Sequence, residues 1–80
     1  MLTRHATDRM QQRGFTNEHI DFILRFGTKR RVGPAVRYLI SKKVAQKLKY
    51  QGIAVNVLEK CTGAYVVSEN DIVITVAFMH

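Results

Sequence analysis

Residues 3–27, TRHATDRMQQRGFTNEHIDFILRFG, carry two helices and the stop between them. Thr3 is an N-cap candidate, because its hydroxyl can accept a bond from an orphan N–H of a first helical turn. From Arg4 to Arg13 there is no Pro or Gly, and Thr7 is the one β-branched residue. Leu2, Ala6 and Met10 recur at i, i+4 and i+8, which draws an apolar stripe along one side of a helix. Gly14 suits the left-handed position just past a helix end. Thr16 offers a second cap, Ile20, Ile23 and Leu24 a second apolar face, and Gly27 a second stop. Phe15 and Ile20 flank the Thr16 cap at hydrophobic-staple spacing.

Beyond Gly27 the chain changes character. Lys29, Arg30 and Arg31 run into Val32, Gly33 and Pro34, and the charge and breakers read as a loop. Ala35–Ile40 reads as a strand, Val36, Tyr38 and Ile40 sharing a face opposite Arg37. Ser41 caps a third helical pattern, with Val44, Ala45 and Leu48 inward and Lys42, Lys43, Gln46, Lys47 and Lys49 outward, ended by Gly52. Ile53, Val55 and Val57 alternate with Ala54 and Asn56, which predicts a second strand. Ala64–Ser68 is a third strand, Glu69-Asn70-Asp71 a tight turn and Ile72–Phe78 a last strand. That last run is apolar on both sides except for Thr75, the pattern of a strand in the middle of a sheet. The fold class that follows is α+β: two N-terminal helices packed on a mostly antiparallel sheet of about four strands, with a further helix between the strands.

Eighty residues leave material for a single core, so 1–80 reads as one domain. At 46% apolar and 24% charged the chain is too hydrophobic for a disordered segment. The longest uncharged apolar stretch, Ile72–Met79, falls far short of the roughly 20 residues that cross a bilayer, so no membrane partner is expected. Thr3, Arg4 and His5 follow Leu2 at once, leaving no apolar leader region. Cys61 is alone and cannot form a disulfide within the chain. The expected location is the cytoplasm. A domain this small is stable when tightly packed or when it forms a homodimer.

The charge is unevenly spread. Thirteen Lys and Arg face six Asp and Glu, a formal net charge of +7, and between Phe22 and Leu58 there is no acidic residue. Arg25, Lys29, Arg30, Arg31, Arg37, Lys42, Lys43, Lys47 and Lys49 all lie in that interval. Neutralising phosphates releases counterions from nucleic acid, so such a stretch is the electrostatic footprint of an RNA or DNA binder. Lys29, Arg30, Arg31, Arg37, Lys42, Lys43 and Lys47 are the candidate nucleic-acid-binding residues. The same field attracts an acidic protein, and the alternative for the helical lysines is a plain solvated face.

His5, Arg9 and Arg13 recur at i, i+4 spacing and share one side of the first helix, beside its apolar stripe. Cleaving RNA without a metal takes a base for the 2′-hydroxyl proton, cations for the charge on the phosphorus oxygens and an acid for the leaving oxygen. An imidazole can supply acid or base, and two guanidiniums can supply the cations. The competing reading is structural: His5 bonded to a neighbouring carbonyl, with the arginines lying over apolar surface. Two helices in succession also outline a helix-turn-helix, but the second is too apolar for a recognition helix.

The segment RHATDRMQQRGFTNEHIDFILRFG resembles the start of a family of small bacterial domains of unknown function. That family's pattern is His-Ala, then Arg-Met, then Arg-Gly with an aliphatic residue and Thr or Ser, and a second short helix ending in Gly. The closing DIVITVAF resembles its last strand. The family is similar to the RelE/ParE-like toxin superfamily, which includes ribosome-dependent mRNA endonucleases. The likeness covers residues 3–27 and 65–78, while the middle departs from the family's short strand-turn-strand. It implies that His5, Arg9, Arg13 and Thr75 line one catalytic site of a toxin-like, metal-independent endoribonuclease. It also implies RNA, including ribosome-associated mRNA, and an acidic antitoxin-like protein as partners. Superfamily toxins also use Arg, Lys and Tyr clusters, which makes Arg37, Tyr38 and Tyr65 secondary candidates.

The remaining features point away from other chemistries. His19, beside the Thr16 cap, reads as solvent-exposed, and the terminal His80 as disordered. The histidines and Cys61 lack metal-ligand spacing, so no metal is expected. Cys61 beside Lys60 reads as a structural thiol in a turn or strand end. The six carboxylates are scattered and the glycines isolated, which leaves no paired-carboxylate site, no phosphate loop and no cofactor.

Overall fold

The computed structural model describes residues 2–79; the expectation for His80 lies outside the described residues. The chain is α+β, with four helices and a four-stranded antiparallel sheet. Helix α1 (Arg4–Arg13) starts at Thr3, whose side chain accepts the Ala6 N–H at 3.1 Å. It closes on Gly14, held at φ 68°, with Gly14 N–H bonded to the Gln11 carbonyl and Phe15 N–H to that of Met10. Those two bonds absorb carbonyls that the helix end leaves orphaned. Helix α2 (Asn17–Phe26) is capped reciprocally. The Thr16 hydroxyl accepts the His19 N–H while His19 Nδ1 accepts the Thr16 N–H at 3.0 Å. An imidazole thus takes the part usually played by Glu or Gln in a capping box. His19 is consequently half-buried rather than fully exposed.

Strands β1 (Thr28–Val32) and β2 (Ala35–Leu39) pair around a two-residue Gly33-Pro34 turn. The expected loop at 29–31 is therefore a strand. All five β1 residues are exposed, so no apolar alternation marks it, and β1 exists because β2 supplies its ladder. Helix α3 (Lys42–Tyr50) begins at Ser41, whose Oγ accepts the Val44 N–H at 3.2 Å, and buries Ala45 and Leu48. The strand expected at 53–57 is instead the start of α4 (Val55–Cys61). The β-branched Val55 and Val57 favour a strand locally, but Leu58 and Cys61 are buried one turn apart and tertiary packing prevails. Two helices, not one, therefore separate β2 from β3 (Ala64–Glu69). Strand β4 (Ile72–Phe78) returns through Asn70 and Asp71, both at positive φ (52° and 65°), the conformation of a tight hairpin turn.

The sheet order is β1-β2-β3-β4, so β4 is an edge strand, contrary to the central position its apolar run predicts. The chain's own start covers that edge. Leu2 bridges Val73 in parallel, and Thr3 N–H donates to the Val73 carbonyl at 2.9 Å. Ala6 and Met10 of α1 join Ile20 and Ile23 of α2, Ala45, Leu48, Leu58 and Cys61 in one core against Ala64, Val66, Val73 and Val76. All of this packing lies on one face of the sheet. The other face, which carries Arg37, Leu39, Tyr65, Val67, Thr75 and Ala77 by alternation, has none of the described helices over it, since all four pack into that core, and these residues are half-buried. None of the described helices is long and apolar enough to cross a membrane.

Candidate nucleic-acid interface

The uncovered face is ordered by register. Thr75 pairs with Val67, Val67 with Arg37 and Arg37 with Arg30, so these four side chains form one row across all four strands. At the usual spacing between strands the row is about 14 Å long. A register shift places it: Val67 pairs with Thr75 but Ser68 with Val73, leaving Ile74 as the extra residue of a bulge. Val73 and Val76 can then both point into the core, three positions apart, while Thr75 turns outward.

His5 stands at the end of this row. It is an exposed residue in the first turn of α1, and its Nε2 lies 3.4 Å from Thr75 Oγ1. The docking of Leu2 and Thr3 on β4 brings the helix start to this place. The competing bond to a neighbouring carbonyl is not the one observed: the partner of the ring is a hydroxyl 70 residues away.

Arg9 and Arg13 run away from this point. Arg9 Nη1 donates to Gln12 Oε1 at 3.2 Å, and the Arg13 carbonyl accepts Lys60 Nζ. At the helical rise Arg13 stands about 12 Å from His5 along the axis. The ridge thus spreads along the helix rather than converging on His5. No hydrogen bond joins either guanidinium to His5 or Thr75 among the described residues.

The other cations divide between two regions. Arg30 faces the open side with Arg37, while Lys29 and Arg31 project from the opposite side of β1, all three exposed. Lys29 Nζ lies 5.7 Å from the Tyr38 ring, which belongs to the helix-covered face, so Tyr38 is a packing residue. Tyr65 is on the open face, paired between Leu39 and Ala77. Lys42, Lys43 and Lys47 are exposed on α3. An open depression of about 430 Å³ lies between β1, β2 and the start of α3, lined by Thr28, Lys29, Arg30, Arg37, Leu39 and Ser41. Sequence alone concealed the Arg30–Arg37 apposition, because β1 carries no strand signal. Two further depressions, along α2 and between α3 and α4, are lined by none of the sequence-selected catalytic residues.

Lys60 carries no functional signal in the sequence, and its contacts are structural. Its ammonium caps the end of α1 at Arg13 and lies 4.9 Å from the Phe15 ring. Cys61 is fully buried in α4 rather than in a turn, and burial pushes its thiol up to about 11 against a smaller opposing pull from Lys60. It is therefore a poor nucleophile. Among the described residues no three His, Cys, Asp or Glu side chains cluster as a metal site would. Comparison with known proteins finds no matching family model, no matching curated protein and no matching solved structure.

Proposed function

We propose that this chain is an RNA-interacting protein of the RelE/ParE-like kind, with RNA lying across the uncovered face of the sheet. One observation carries the reading: Arg30, Arg37, Thr75 and, beyond it, His5 stand in a single row on the one face that no helix covers. A single strand suits that face, because Leu39, Tyr65 and Val67 offer apolar and aromatic surface between the cations, and bases stack on aromatic rings. The bases of β1 and α3 extend the field through which a polyanion is drawn in. An acidic antitoxin-like protein would compete with RNA for the same cations.

The test is equilibrium binding of a labelled single-stranded RNA across a salt series. Affinity should fall with salt at a slope near −0.7 per phosphate contact, and Arg30→Gln with Arg37→Gln should flatten that slope. Absence of binding, or binding indifferent to salt, overturns the proposal.

A second reading, metal-independent endoribonuclease, is favoured by the His5–Thr75 contact. His5 would take the 2′-hydroxyl proton as that oxygen attacks the adjacent phosphorus. The bond from phosphorus to the 5′-oxygen then breaks, a cyclic phosphate forms, and the leaving oxygen takes a proton from water at this open site. Thr75 would orient the imidazole. Arg9 and Arg13 would hold neighbouring phosphates along the helix. Cleavage of mRNA by the purified protein, with and without ribosomes and in the presence of a chelator, decides between enzyme and binding module.

A further inference from the structure

Arg30 and Arg37 are directly opposed on neighbouring strands. Like charges in that position repel and destabilise a ladder, and no acidic side chain lines the depression they border. Arg37 is also poorly satisfied. Among the described residues its Nη1 reaches only the Met79 sulfur, at 4.0 Å, and thioethers are weak acceptors. Among the described residues its Nε is buried with no hydrogen-bond partner. Thr28 and Ser41, which carry hydroxyls, line the same depression. The Ser41 oxygen accepts from Val44 N–H, so its own proton is available to a further acceptor. Ser41 also begins α3, whose first-turn N–H groups and positive end favour an anion.

We infer that the depression between β1, β2 and α3 is a discrete binding site for one phosphate group, held by the guanidiniums of Arg30 and Arg37 and the hydroxyl of Ser41. A tetrahedral oxyanion is the chemistry that answers the opposed cations, the free Ser41 proton and the helix start together. It accepts charge-assisted bonds from arginines and cancels the repulsion between them. The space, about 430 Å³, admits the phosphate with an attached nucleoside resting on Leu39. The group could be the terminal monoester of an RNA or a diester within it. The site lies across the sheet from His5 and shares the surface of the proposed function, but it does not require that His5 act.

The experiment is a nuclear magnetic resonance titration of the whole chain with inorganic phosphate, against sodium chloride at matched ionic strength. Saturable shifts confined to the Arg30 side-chain Nε–H and the backbone amides of Arg30, Arg37, Ser41 and Val44 are expected. Both Arg30→Gln and Arg37→Gln should weaken phosphate at least tenfold. Arg37→Lys, which keeps the charge and loses the fork, should weaken it measurably, and Arg25→Gln on α2 should leave it unchanged. Shifts no larger than those from chloride, or shifts that persist in both glutamine variants, overturn the site. A short RNA compared with and without its 5′-phosphate separates the two sources: tighter binding of the phosphorylated form assigns a terminal monoester, and equal binding with loss of affinity in Arg37→Gln assigns a diester. Phosphate binding without RNA binding would sustain the site and remove the proposed function. RNA binding without localised phosphate shifts would do the reverse.

Discussion

The imidazole of His5 and the hydroxyl of Thr75 meet at 3.4 Å, joining the first turn of the chain to its last strand. Because His5 is exposed, its removal should change stability by no more than about 0.5 kcal/mol. If the contact marks a proton-transfer site, His5→Ala should lower cleavage at least a hundredfold. RNA affinity should stay within about twofold, because the cations remain. Gel-based cleavage beside anisotropy binding makes the check, and equal cleavage by parent and variant would remove His5 from any reaction.

Thr3 serves two elements at once. Its side chain caps α1 through Ala6 N–H, and its backbone N–H ties the helix start to Val73 at the edge of β4. Thr3→Ala removes the side-chain cap and the hydroxyl's 3.4 Å bond to the Ile74 carbonyl but keeps the backbone donor, and should cost about 1 kcal/mol in urea denaturation. Thr3→Pro also deletes the backbone donor and should cost distinctly more. Equal losses in the two variants would mean that the edge bond contributes little.

Gly27 is required by space rather than by its dihedrals, since its φ is an ordinary −67°. A Cβ there would come within 2.5 Å of the Ile23 carbonyl oxygen and 3.1 Å of backbone atoms of Tyr38 and Leu39. Gly27→Ala should therefore destabilise by about 1–3 kcal/mol, although at so ordinary a φ the exchange would otherwise stabilise by restricting the unfolded chain. Calorimetry showing a neutral or stabilised variant would contradict the close approach of α2 to β2.

Cys61 gives stability a dependence on alkaline pH. Its folded thiol is raised from 9.0 to about 11, so between those values the unfolded chain loses a proton that the folded chain keeps. The unfolded state then binds fewer protons, and stability falls as pH rises through that window, by up to roughly 2–3 kcal/mol from this group. Cys61→Ala creates a small cavity but should show a shallower decline from pH 9 to 11 than the parent. Parallel declines would show that the thiol does not titrate this way. Native Cys61 should also react slowly with iodoacetamide at pH 8 and quickly once unfolded.

Local chemistry was enough to place much of this fold. Thr3, Thr16 and Ser41 cap helices because a short hydroxyl side chain can bond a free N–H wherever it occurs, and Gly14 and Asn70-Asp71 turn the chain because their backbones tolerate positive φ. The apolar spacing of α1 and α2 and the alternation of Ala64–Ser68 likewise depend only on neighbours in sequence. Tertiary structure decided the remainder. Strand β1 is wholly exposed and forms only beside β2, while 55–61 became a helix because burying Leu58 and Cys61 together outweighs the strand preference of two valines. Strand β4 sits at an edge because Leu2 and Thr3 close over it. The pairing of Arg30 with Arg37 and of His5 with Thr75 follows from register and from a bulge. These are relations between distant segments, set by the energy of the whole core, and no local pattern encodes them.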